Sequence, residues 1–82
     1  MTNAESLAKV VRDRHPNTVH IAQYFVYDHL PPHLREVSAE SAGLAYLMIK
    51  TLPDGPELTA GLRKLLEAKD CFVRAAGAVP AW

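Results

Sequence analysis

The chain is predicted to be all-α: a short N-terminal helix or arm, then a long antiparallel helical hairpin that assembles into a compact homo-oligomer. The main signal is apolar periodicity. Leu34, Val37, Ser41, Leu44, Met48 and Leu52 recur at steps of 3, 4, 3, 4 and 4, and Leu58, Leu62, Leu65, Phe72, Ala76 and Val79 keep helical spacing, with Leu66 and Val73 widening the second stripe. One tight connection joins the two stripes, which makes the helices antiparallel neighbours. Two helices bury only the faces they turn to each other, so wide stripes on both call for helices from other copies.

Thr2 followed three residues later by Glu5 is a capping-box pattern, and Leu7, Val10 and Val11 continue it at helical spacing. The first helix is expected to reach about Arg14, where His15-Pro16 ends it. Residues 19–28, VHIAQYFVYD, are strand-like in composition, but no partner strand exists in the chain, so helix or extended arm is expected there. Pro31-Pro32 breaks the chain and opens the next helix, about His33 to Thr51, with Gly43 marking a kink or a close helix contact. In TLPDGPEL, Asp54 is the expected N-cap of the last helix, with Glu57 completing a capping box, and that helix should run from about Gly55 to Ala78, before Pro80. The whole is one domain, with 1–32 the N-terminal helix and aromatic arm and 33–79 the hairpin.

A single core in a chain of 82 residues is marginally stable, and Cys71, the one cysteine, rules out an internal disulfide. Self-assembly is the remaining remedy. Nine basic and nine acidic side chains cancel, which disfavours DNA or RNA as a partner but leaves room for a small nucleotide. Met1–Arg14 has no apolar h-region, and no apolar run approaches the ~20 residues of a membrane span. A soluble, cytoplasmic protein that neither enters nor binds a membrane is expected.

Of the four histidines, His29 and His33 are four apart but separated by two prolines, and His15 and His20 are separated by Pro16. No cysteine or carboxylate cluster completes a ligand set, so these read as surface or capping histidines and no metal or other cofactor is expected. Asp28-His29 could orient an imidazole toward Ser38, Ser41 or Cys71, but no glycine-rich elbow or phosphate loop accompanies them, and no catalytic residue is assigned. The aromatic cluster Tyr24, Phe25 and Tyr27 can stack on nucleobases, or can close over the core as a lid. Arg35 lies in the first turn of its helix, beside that cluster in sequence. Arg74 stands four residues after Asp70 and can pair with it on one helix face, the competing account to a ligand contact, and Arg63 can pair with Glu67 in the same way; such exposed pairs are of small energy.

The segments FVYDHLPPHLREVS, LA at 44–45, PDGPE and LRKLLEAKDCFVRA together resemble the bacteriophage anti-CBASS cyclic-nucleotide sponges, whose helical hairpin is shared with the anti-Thoeris sponges. The resemblance spans about Phe25 to Ala76. It implies a non-enzymatic protein in the cytoplasm of the infected bacterial host, a homohexamer that sequesters cyclic di- and trinucleotides without turnover at two kinds of site. The position matched to the family's basic residue at the start of the first hairpin helix falls near Ser38. A cyclic dinucleotide has approximate two-fold symmetry and suits a two-fold interface, and a trinucleotide suits a three-fold axis.

On this reading the dinucleotide site uses Tyr27, with Tyr24 and His29 as neighbours, Ser38, and Arg35 or Lys9 from an adjacent chain on the phosphates. The trinucleotide site uses Arg74 and Gly77, with Glu40. The competing expectation is a helical-hairpin interaction module that docks a partner protein and takes no nucleotide. An enzyme degrading nucleotides would need machinery the sequence does not display.

Overall fold

Thr2 starts the first helix as its pattern predicts, its Oγ1 accepting the Glu5 backbone N–H at 3.1 Å. In the computed structural model, which describes residues 1–78, helix α1 spans Asn3–Val10. It stops four residues short of Arg14, because the chain turns through residues 11–13 with Asp13 at a left-handed φ of 63°. Helix α2, Pro16–Ala22, follows, its N-terminus capped by the His15 ring, whose Nδ1 accepts from the Asn17 backbone N–H at 3.0 Å. A 3-10 turn over Gln23–Phe25 continues it before the backbone becomes extended at Val26. The ambiguous 19–28 segment is therefore helix in its first half and arm in its second.

Helix α3 spans Pro32–Thr51 and helix α4 spans Pro56–Gly77. They pack on each other more extensively than any other pair, α2 leans on α4, and α1 and the 3-10 turn lie against α3. The described residues are all-helical, with no strand. The expected stripe positions Val79 and Pro80's role as terminator lie outside the described residues. No described helix is long and apolar enough to cross a membrane.

The core is Leu7, Val11, Ile21, Ala22, Phe25, Ala42, Ala45, Ile49, Leu58 and Leu62. On α4 the expected face is buried at Leu58 and Leu62, with Leu65 and Leu66 packed against the core, but its C-terminal half is corrected: Phe72 is 59% exposed and Ala76 is exposed as well. On α3 the expected face holds at Ser41, which is buried, and at Met48, which packs against the core, and is corrected at Leu44 and Leu52. Its buried residues are Ser38, Ser41, Ala42, Ala45 and Ile49, while Leu44, Leu47 and Leu52 are each more than 40% exposed. The reason is close approach: a strip of small side chains lets α1, the 3-10 turn and α4 come near the α3 backbone, and Phe25 supplies the bulk. Gly43 makes no close helix contact, since it lies exposed with open space around its Cβ position.

Asp54 is also corrected. Helix α4 has Gly55 as its N-cap, with no side-chain cap, at φ 158° and ψ 175°, a combination essentially confined to glycine. The Asp54 carboxylate turns instead to the other end of the chain: Oδ2 accepts from the His15 N–H at 3.0 Å and from Arg14 Nε at 3.1 Å, and Oδ1 from Thr18 Oγ1 at 2.7 Å.

The result is a slab of 45 × 28 × 17 Å with a radius of gyration of 13.2 Å, against about 12 Å for a compact domain of this length. Its surface of 5582 Å² exceeds the roughly 4,900 Å² of a compact monomer of this mass. A slab 17 Å thick has room for about two layers of helices, and one side of α3 is left uncovered at Leu44 and Leu47.

Candidate functional site

Tyr27 is placed by a clasp between the arm and α1. Its backbone N–H donates to Asn3 Oδ1 at 2.7 Å, while Asp28 Oδ2 accepts from the Ala4 N–H at 2.9 Å and Asp28 Oδ1 from the Asn3 N–H at 3.3 Å. Asp28 thus serves the open N-terminus of α1 and is not an orienting partner for the imidazole of His29.

The Tyr27 side chain is half-buried against the core and lines a cavity of about 260 Å³ together with Tyr46, Asn3, Ser6, Ala39 and Gly43. Two tyrosines therefore border one slot whose α3 side is made of small residues. Tyr46 was missed from sequence, although it continues the small-residue strip Ala39, Ala42, Gly43 one turn on and is the first large side chain in it.

Tyr24 faces elsewhere. It is 48% exposed, stands edge-on to His20 with ring centroids 5.6 Å apart, and lines a groove between α2 and α4 with Arg63 and Lys69. His29, Arg35 and Lys9 are exposed, and none of them lines the Tyr27 cavity of its own chain. Ser38 is buried, its hydroxyl without a hydrogen-bond partner among the described residues. One protomer thus brings Tyr27 together with Tyr46, Asn3 and Ser6, and leaves the expected cations on other surfaces.

At the far end of α4, Arg74 is exposed and its Nη2 donates to Cys71 Sγ at 3.4 Å. The expected pair with Asp70 does not form, because Asp70 holds Lys69 at 3.1 Å. Nor does Arg63 pair with Glu67: among the described residues the ion pairs are Arg14–Asp54 and Lys69–Asp70. Gly77 closes α4 with nothing within 4 Å of its Cβ position, and Glu40 is exposed on α3.

The Arg14 hydrogen bond, helped by Thr18 and the His15 N–H, lowers the Asp54 pKa from 3.8 to about 2. Its oxygens are filled by structural donors, which marks it as a latch. His15 acts as a helix cap and His20 lies against Gln23, with 3.2 Å between His20 Nδ1 and Gln23 Nε2. No group of three or more metal-ligating side chains gathers among the described residues.

No protein-family model, curated protein or solved structure matches the chain.

Proposed function

We propose that this chain is a non-enzymatic, self-assembling sponge that binds cyclic di- and trinucleotides and withholds them from the CBASS effectors of the infected bacterial host. The observation that carries the reading is the Tyr27–Tyr46 slot: two aromatic side chains and a small-residue wall around about 260 Å³, with Asn3 and Ser6 at hand for base edges. Aromatic faces bind nucleobases with ~1–3 kcal/mol per base. The slot holds no cation of its own, so the phosphates of a cyclic dinucleotide fall to Arg35 or Lys9 of a neighbouring copy.

Assembly is supported by the second side of the slab. Leu44, Leu47 and Leu52 are exposed on α3 and Phe72 on α4, and a cavity of about 260 Å³ between α3 and α4 is lined by Leu44, Met48, Leu52, Leu58, Leu62 and Leu65. A second copy covering this face converts an exposed apolar surface into a core, and a hexamer offers both two-fold and three-fold axes. Arg74 in the last turn of α4, with no acidic partner among the described residues, is the cation for three symmetry-related phosphates.

Calorimetry of the purified chain against a panel of cyclic di- and trinucleotides tests the reading, with recovery of intact nucleotide after denaturation of the complex. Tight binding with unaltered ligand is expected. Absence of binding across the panel, from a chain that still assembles through its leucine face, replaces the sponge by a helical interaction module. Recovery of cleaved nucleotide replaces it by an enzyme.

A further inference from the structure

Between α2 and α4 runs a groove unconnected to the slot at Tyr27. One stretch, of about 600 Å³, is lined by His15, Thr18 and Asp54 at its end. The next, of about 510 Å³, is lined by His20, Tyr24 and Lys69. Asn17, Thr59 and Arg63 line both, so the two stretches are continuous through Arg63.

The charges in this groove are mostly spent. Asp54 already accepts from Arg14, His15 and Thr18, and Lys69 is held by Asp70 at 3.1 Å. Arg63 is left at the junction with no ion pair or side-chain hydrogen bond among the described residues. Its planar fork matches phosphate oxygens two at a time, and the Asn17 and Thr59 side chains beside it also make no hydrogen bond there. Further along, the exposed Tyr24 ring is braced edge-on by His20, with Ile21 and Leu66 adding apolar surface. A cation and polar groups at one point, with an aromatic face and two aliphatic side chains beyond, select a ligand with an anionic head and a planar ring.

We propose that the α2–α4 groove is a second binding site, for a nucleoside monophosphate, with Arg63 on the phosphate and Tyr24 stacked on the base. It stands apart from the cyclic-nucleotide reading and needs no second copy of the chain.

The test is an amide-resolved NMR titration of the full chain with adenosine 5′-monophosphate, with adenosine and inorganic phosphate as separate arms. Saturable shifts at Asn17, His20, Tyr24, Thr59, Arg63 and Lys69 are expected, with each half-ligand at least tenfold weaker. Arg63→Gln should weaken the monophosphate at least tenfold, and Lys64→Gln, which removes an exposed charge from the same helix outside the groove, should not. No groove shifts at millimolar monophosphate, or equal affinity for wild type and Arg63→Gln, overturns the site. Phosphate binding as tightly as the whole ligand overturns the role of Tyr24. Loss of cyclic dinucleotide along with monophosphate in Arg63→Gln overturns the separateness of the groove. Groove shifts that persist when no cyclic nucleotide binds leave this site standing and remove only the sponge.

Discussion

Arg14 Nε and Asp54 Oδ2 meet at 3.1 Å, and through this pair two helix ends are completed at once. The Arg14 guanidinium also donates to the Ile49 and Leu52 carbonyls, at the C-terminus of α3. Asp54 accepts from His15 and Thr18 at the N-terminus of α2. A cation lies at a negative helix end and an anion at a positive one, so both charges oppose the end they meet. The connection between α3 and α4 is thereby tied to the turn between α1 and α2.

Acid should loosen this latch. The folded pKa of Asp54, about 2, lies below its ordinary 3.8, so between those values the unfolded chain binds more protons and stability rises with pH. The contribution is complete above about pH 4 and is lost as pH falls toward 2. Thermal melts should show an acid limb that begins below about pH 4 and deepens toward pH 2. Asp54→Asn should lower the melting temperature at pH 7 and flatten the acid limb; an acid limb as steep as wild type would assign the loss to other carboxylates.

Arg14→Ala strands carbonyls at the end of α3 and should cost about 2 kcal/mol in urea denaturation, within the range for hydrogen bonds from a charged donor. Arg14→Lys should recover only part of it, since one ammonium cannot reproduce a fork that reaches Asp54 and two carbonyls. Full recovery by lysine would reduce the latch to simple charge attraction.

Much of the fold is legible in the sequence, and the departures share a cause. The Thr2 cap, the proline breaks, the α3 and α4 bounds and the Leu58–Leu62 face all depend on neighbours a few residues away. Asp54 was misread because its partners lie about 40 positions upstream, where local capping rules do not reach. The α3 face was misread because hydrophobicity ranks Leu44 and Leu52 above Ser38, Ala42 and Ala45, whereas close helix approach favours the small residues. Tyr27 was legible as a site candidate from its aromatic neighbours. Its companion Tyr46 and the uncommitted Arg63 were not, since each acquires meaning only from which element lies opposite.

The two faces of α3 should therefore respond oppositely to substitution. Ile49 is fully buried, and Ile49→Ala should cost about 2–5 kcal/mol, enough to unfold most of so small a domain. Leu47, half exposed, should tolerate Leu47→Ser without loss of helical circular dichroism, while sedimentation shows a smaller assembly. Unchanged sedimentation for a Leu44→Ser, Leu47→Ser pair would remove this face from the assembly.

Gly55 should resist replacement. At φ 158° and ψ 175° a side chain is strained even though nothing lies within 4 Å of its Cβ position, so Gly55→Ala should cost about 1–3 kcal/mol. Gly43→Ala, in helical backbone with the same open space, should instead stabilise by a few tenths to about 1 kcal/mol. Equal responses, read from urea midpoints, would show that the connection relaxes.

The clasp at α1 links stability to the proposed ligand. Asn3 accepts from the Tyr27 N–H and, together with Ala4, donates its own N–H to Asp28, so the tyrosine ring stands where it does because α1 is docked. Asn3→Ala removes the acceptor under Tyr27 and leaves the Asp28 cap; Asp28→Ala removes the cap and leaves the acceptor. Asp28→Ala should cost about 1 kcal/mol, as helix caps do, with cyclic dinucleotide affinity following only as far as α1 frays. Asn3→Ala should weaken the dinucleotide beyond any change in stability, because it frees the segment that aims the ring. If the two variants lose affinity strictly in proportion to their stability, Tyr27 is a lid over the core, and the stacking surface of the slot belongs to Tyr46.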